Sequence, residues 1–444
     1  MYLLRTGTHN VLLECGLVQG LPEDEKRNRE PFPFDIGEID AVILSHAHID
    51  HSGRVPLLVK LGYEGPVYVQ DATMALCEIM LPDSGYLNEK DAEYENRKRK
   101  NKGRLPVQPL YTMEDAERAL DYFRGVAYEQ EIIVVPGLTL RFHDAGHILG
   151  SAIVELTWTD SHGSRTVVFS GDLGYRDAPV MNRPAVIEHA DAVLLESTYG
   201  DRLHRPIGET LEELAGVFEA ARAGQGNILI PAFTVGRTQD LLYLMAQNYK
   251  NWNLGKWQIF VDSPMGIEAT RVYAQYRELY STELFDPDSN LPELPNLRLT
   301  RTPEESKAIN EFESGAIVIA GSGMCSGGRI LHHLKNNIWR RECHLVIVGF
   351  QAMGTLGRRI LDGAETVKLY GDEYRVRIQV HTIGGLSAHG DQADLVKWYG
   401  AFLNRPPVYL VHGESEAQAI LAKRLRDDLN APASIAEHGQ IIRI

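Results

Sequence analysis

Strand-length apolar runs rich in β-branched residues recur along the chain, and each stops at a polar cluster. Ala41–Leu44 runs into Ser45-His46, Val167–Phe169 into Ser170-Gly171-Asp172, and Ala192–Leu195 into Glu196. Ile228–Ile230 stops at Pro231, and Val408–Val411 at His412-Gly413. Short runs bounded in this way predict buried strands. Between them, Thr210–Ala223, Arg237–Asn248 and Ala417–Leu429 repeat apolar residues at helical spacing, the first with Glu in its opening turn. Strands alternating with helices predict an α/β architecture of packed layers. Polar groups at strand ends are where such folds place their chemistry.

The 444 residues leave room for two or three domains at ~150 residues each. A composition of 44% hydrophobic and 24% charged residues argues against a disordered chain. No apolar run approaches the ~18 residues of a membrane span, and Met1 to Asn10 lacks the start of a signal peptide. Cys15, Cys77, Cys325 and Cys343 show no CxxC spacing. A disulfide framework is therefore not expected, and a reducing cytoplasm is. With 45 Lys+Arg against 60 Asp+Glu, the net charge of −15 argues against indiscriminate binding to nucleic acid. It leaves room for a locally positive cleft. The one strong basic run, Arg97 to Arg104, falls in a polar insertion after Leu81.

Histidine carries the chemistry. His46-Ala47-His48-Ile49-Asp50-His51 follows a buried strand, so it sits on a loop at a strand's end. Three imidazoles and a carboxylate within six residues are ligands for zinc or another borderline divalent metal. His147 in Ala145-Gly146-His147, Asp172 in Ser170-Gly171-Asp172 and His412 in Val411-His412-Gly413-Glu414 end further strands. Singly, each is weak, because a lone histidine beside glycine is more often a turn residue. Together with the first motif they supply the missing ligands, and a carboxylate such as Asp172 can bridge two ions.

The spacing His46-x-His48-x-Asp50-His51, then His147, then Asp172 resembles the metallo-β-lactamase fold. Glu196 in Leu195-Glu196-Ser197-Thr198, His389 in Ser387-Ala388-His389-Gly390-Asp391, and His412 resemble the extra motifs of its β-CASP nucleases. Pro231–Arg237, Asp262-Ser263-Pro264-Met265 and Gly321-Ser322-Gly323-Met324 extend the likeness over nearly the whole chain. It is nearest to bacterial and archaeal relatives of the pre-mRNA 3′-end cleavage endonuclease.

The resemblance implies an αββα sandwich with an inserted α/β β-CASP domain. Residues 1–200 and 372–444 would form the sandwich and 201–371 the insertion. Met1-Tyr2-Leu3-Leu4 would lie in the family's second strand, leaving the first missing. His46, His48 and His147 would hold one zinc, Asp50, His51 and His412 another, with Asp172 bridging two Zn2+. His389 would act as general acid, kept cationic by Glu196, and Asp50 counts with them among the catalytic residues. Without the family pattern Glu196 reads equally as a helix N-cap or loop carboxylate. Glu14 replaces the family's usual Asp as the acid orienting the ligands.

The implied activity is hydrolysis of single-stranded RNA, endonucleolytic and serving RNA processing or decay. Arg237, Ser322, Gly323 and Arg329 are candidate substrate contacts, and the Gly-rich turn offers backbone N–H groups to phosphate. No membrane partner is expected, and a homodimer is compatible. The rival readings are a hydrolase of a small ester, lactone or thioester, and a catalytically silent RNA-binding subunit.

Overall fold

A computed structural model describes residues 1–20, 22–161, 163–279 and 294–444. The chain divides into two units: 1–176, 183–203 and 389–444 form the first, 177–182 and 204–388 the second.

The first unit is built on two sheets. β1 (Tyr2–Thr6), β2 (His9–Leu13), β3 (Ala41–Ile43), β4 (Val67–Gln70) and β5 (Phe123–Val126) form one in that order. Only the β1–β2 pair is antiparallel. The second sheet contains β6 (Glu131–Val135), β7 (Leu138–Asp144), β8 (Ala152–Asp160), β9 (Gly163–Phe169) and β10 (Ala192–Leu195). After β10 the chain crosses into the second unit through β11 (Ile228–Pro231), β12 (Gln258–Val261), β13 (Leu297–Leu299), β14 (Ala316–Ala320) and β15 (His344–Ile347). There, β16 (Thr366–Leu369), β17 (Asp372–Arg375) and β18 (Gln379–Thr382) follow. It then returns to add β19 (Val408–Leu410) and β20 (Ala433–Ile435) to the second sheet, in the order β20-β19-β10-β9-β8-β7-β6.

Val11, Ile43 and Val126 of the first sheet share one buried core with Leu140, Phe142, Val154 and Phe169 of the second, so the sheets pack face to face. On the far side of the second sheet, Leu395, Trp398 and Tyr399 of helix Gln392–Tyr399 and Leu421 and Leu425 of helix Ser415–Leu429 cover Val168, Val193 and Leu195. Helices Val55–Lys60, Asp71–Lys100 and Met113–Leu120 accompany the first sheet. This is the αββα sandwich. The second unit centres on an all-parallel sheet, β13-β12-β14-β11-β15-β18, with a β16–β17 hairpin beside it. Strands buried on both faces explain its continuous apolar runs, such as Ala316–Ala320.

By compactness the first unit resumes at His389. The strands before it are held by pairing: β17 closes the hairpin with β16, and β18 aligns with β15 from His344↔Gln379 to Ile347↔Thr382. The polar insertion after Leu81 continues a helix, with residues 101–104 in the turn beyond it. Leu81 and residues 97–100 belong to one helix, Asp71–Lys100, whose polar composition hides any apolar stripe. Among the described residues, no helix is long and apolar enough to cross a membrane.

Candidate metal centre

Every candidate ligand lies in the first unit, at or just past a strand end. Glu14 follows β2, His46 to His51 follow β3, His147 follows β7, Asp172 follows β9, Glu196 follows β10 and His412 follows β19. Close backbone approach draws these ends together. A Cβ on Gly16 would lie 1.5 Å from the Asp50 carbonyl oxygen, and one on Gly174 would lie 1.9 Å from that of Gly146. Only glycine fits either position. Glu14 (φ 63°) and His412 (φ 44°) both adopt the left-handed backbone that non-glycine residues rarely accept, as residues at functional sites often do.

Three ring nitrogens converge on one point. His46 Nε2 lies 3.0 Å from His48 Nδ1, which lies 3.2 Å from His147 Nε2. Asp172 Oδ2 is 3.5 Å from His46 Nε2 and 3.7 Å from His147 Nε2. The same oxygen lies 3.3 Å from His51 Nε2, and Asp172 Oδ1 lies 3.7 Å from His412 Nε2. One atom each from His46, His48, His147 and Asp172 falls within 4.8 Å, and so does one each from Asp50, His51 and His412. Asp172 thus touches both groups.

The ring tautomers are set from behind. Buried Glu14 accepts from Ser45 N–H at 2.6 Å and from Ser45 Oγ at 3.1 Å, and its other face meets His51 Nδ1. That leaves His51 Nε2 pointing toward Asp172. Ser45 Oγ also contacts His46 Nδ1 at 2.9 Å, leaving His46 Nε2 for the cluster. Nothing in the sequence marked Ser45 for this work except its place directly before His46.

Burial, then the neighbouring His51, hold His46 well below the ordinary imidazole range. Burial pushes His48 down to about 4. These rings are therefore neutral and can offer lone pairs. For Asp172, burial opposes ionisation, but His412, His51 and His46 outweigh it and hold the carboxyl well below its usual value. Asp50 is likewise lowered, against its burial, by His51, His412 and His48. Among the described residues, His51 Nε2 and Asp172 Oδ1 are buried without a hydrogen-bond partner. Such orphaned groups cost ~1–3 kcal/mol each. Neutral His46 and His48 beside ionised Asp172 and Asp50 offer the lone pairs that a borderline divalent cation takes, while the surrounding carboxylates of Asp172, Glu14 and Asp50 raise His51 against its burial.

Beside this centre, His389 Nδ1 meets Glu196 Oε1 at 3.1 Å and lies 4.0 Å from Asp172 Oδ2. Glu196 is fully buried and fixed: it accepts from Leu173 N–H at 2.8 Å and Thr198 N–H at 3.1 Å, while its own N–H donates to Ser170 Oγ. Burial works against a charged His389, yet the Glu196 charge and hydrogen bond, with Asp172 and Asp50, raise it to about 9.

The four candidate substrate contacts lie in the second unit, each engaged in internal bonds. Arg237 is buried and pairs with Asp240 at 2.7 Å, one helical turn on. Arg329 is tied to Asp262 Oδ1 at 2.6 Å and to the carbonyls of Thr300 and Arg301. Ser322 Oγ accepts from the N–H groups of Ser326 and Gly327, and the Gly323 carbonyl accepts from Gln351. Sequence reasoning missed the hub that Arg329 serves. The buried Asp262 carboxylate accepts from Arg329, His333, Ser306 and Thr300, each at 2.6 Å. Its donors are scattered over some seventy residues (Asp262 and His333 are 71 apart), so no local pattern betrays them.

Three family models match the chain. The metallo-beta-lactamase superfamily covers residues 1–232, the Beta-Casp domain 238–360, and the Zn-dependent metallo-hydrolase RNA specificity domain 373–436. Ribonuclease TTHA0252 of Thermus thermophilus is 40% identical over 427 residues, 96% of this chain and 92% of that protein. Transcription termination factor FttA of Methanococcus maripaludis is 30% identical over 97% of this chain and 68% of its own length. The FttA of Methanosarcina mazei is 29% identical over 100% and 69%.

Proposed function

The chain belongs to the metallo-β-lactamase superfamily, in its β-CASP branch, and from that premise we propose that it is a two-zinc ribonuclease cleaving single-stranded RNA. One observation carries the reading: Asp172 lies within 4 Å of His46, His51, His147, His389 and His412. His46, His48 and His147 would hold one ion, Asp50, His51 and His412 the other, and Asp172 both. When bound, the ions lower the pKa of a water and polarise the phosphoryl oxygens of the scissile diester.

The chain's own residues divide the remaining work. The Asp50 side chain is 36% exposed and ionised, so it can accept a hydrogen bond from the attacking water. As the water oxygen bonds to phosphorus its proton passes by way of Asp50 to solvent, the bond from phosphorus to the leaving oxygen breaks, and that oxygen needs a proton. His389 holds one, with Nδ1 anchored on Glu196. The RNA specificity domain and the ribonuclease relative favour RNA over a small ester or lactone. Endonucleolytic cleavage in RNA processing or decay completes the proposal.

Metal-loaded protein mixed with a circular single-stranded RNA and, separately, with a chromogenic lactone tests this. Linearised circles with no lactone turnover are expected. Lactone turnover without RNA cleavage would establish the small-molecule hydrolase instead.

A further inference from the structure

The acidic chain displays an ordered basic knob at the far end of the helix that begins under the metal loops. Near the start of helix Asp71–Lys100, Thr73 Oγ1 donates to the Gly150 carbonyl at 2.7 Å, three residues from His147. The short helix Ile49–Ser52, carrying Asp50 and His51, packs against the same stretch. At the other end stand Arg97, Lys98, Lys100, Lys102 and Arg104, all exposed. The turn beyond the helix is fastened. Asn96 bonds Val107 twice, Nδ2 to its carbonyl at 2.9 Å and Oδ1 from its N–H at 2.7 Å, and the Arg104 N–H returns to the Arg99 carbonyl.

Aromatic rings accompany the charge. Tyr86, Lys90, Tyr94 and Lys98 follow one another at four-residue spacing along one helix face. The ammonium of Lys90 lies 5.4 Å from the Tyr86 ring centroid and that of Lys98 4.1 Å from the Tyr94 centroid. Tyr94 is 61% exposed. Of the acids on this face, Glu93 pairs with Lys90 and Glu95 with Arg99, which leaves the cations of the last turn uncompensated by them. Exposed rings for base stacking beside cations for phosphate are the two parts of a single-strand binding surface. A fold with net charge −15 gains nothing in solubility from such a cluster, and a polyanion is the partner its charge fits.

We infer that this helix end is a distal subsite for the RNA substrate, an inference that rests on the ribonuclease reading above. From Thr73 to Arg97, at ~1.5 Å per residue, is ~36 Å. At ~3.4 Å per stacked nucleotide, that is about ten nucleotides from the metal loops. Only RNA longer than this engages the knob, so the subsite selects for length and not for sequence.

The test compares a 6-nucleotide and a 30-nucleotide single-stranded RNA on the wild type and on R97Q/K98Q/K100Q/K102Q/R104Q, with Y94A as a second, milder variant. The charge variant should raise KM for the 30-mer about tenfold, with kcat and all hexamer kinetics unchanged. The salt slope of 30-mer binding should fall by about 0.7 for each phosphate contact removed. Y94A should raise the 30-mer KM without altering that slope. Equal KM changes on both RNAs, or none on either, would overturn the subsite and leave the ribonuclease standing. No RNA cleavage by the wild type, with bis(p-nitrophenyl) phosphate still hydrolysed, would remove the ribonuclease reading and the subsite with it.

Discussion

His389 and Glu196, 193 residues apart in the chain, meet through a 3.1 Å contact between imidazole Nδ1 and carboxylate Oε1. The chain leaves after Glu196, builds the second unit and returns at His389. The bond therefore forms only when that return is correctly placed against Leu173-Gly174, where Gly390 N–H donates to the Leu173 carbonyl at 2.7 Å.

His389→Ala should retain its metals and lose about 10²–10⁴-fold in RNA cleavage, because it removes the proton donor and no ligand. Elemental analysis beside single-turnover rates checks this. Metal loss in the variant would make His389 a ligand, and a near-normal rate would refute its role.

Glu14 fixes His51 from behind, so Glu14→Ala should weaken metal binding about 10–100-fold while leaving the fold intact. Glu14→Asp should fall between, since a side chain one methylene shorter cannot span Ser45 N–H and His51 Nδ1 without a backbone shift. Competitive zinc titration measures both. Unchanged affinity in Glu14→Ala would show that the acid is not orienting the ligand.

Gly16→Ala and Gly174→Ala each force a Cβ into a backbone carbonyl. Each should cost about 3 kcal/mol by denaturant unfolding, and Gly16→Ala should also weaken metal binding by displacing Asp50. A neutral Gly174→Ala would mean that the strand ends tolerate looser packing than their geometry requires.

The Asp262 hub gives a pH prediction. Burial opposes its charge, but hydrogen bonds from His333, Ser306, Thr300 and Arg329 hold its folded pKa well below the unfolded value. Its stabilisation is therefore present above about pH 4 and is lost as pH falls toward the folded value. Asp262→Asn should cost about 3 kcal/mol at pH 7, with the gap closing as both proteins are taken toward pH 3. A gap that stayed constant would show that charge is not what the hub contributes.

The sequence displays the ligands because metal chemistry demands particular residue types at strand ends, and strand ends are visible where apolar runs stop. His46 to His51, His147, Asp172 and His412 are legible in this way. The supporting polar groups are not. Ser45, Ser170 and Thr198 look like any loop residues until folding sets them beside His46 and Glu196. The return point near Ala388 is hidden because β17 and β18 are short, half-exposed strands whose assignment depends on partners elsewhere. Arg237 and Arg329 are not resolved by sequence for a related reason: an arginine near a glycine-rich turn serves phosphate or an internal acid equally well, and here they pair with Asp240 and Asp262.

The most direct test is the rate of RNA cleavage by metal-stripped, folded protein as zinc is added back in measured equivalents. The rate should rise from baseline and level off at about two equivalents per chain. Cleavage that is already maximal without zinc, or that stays at baseline beyond two equivalents while the protein remains folded, would contradict the account.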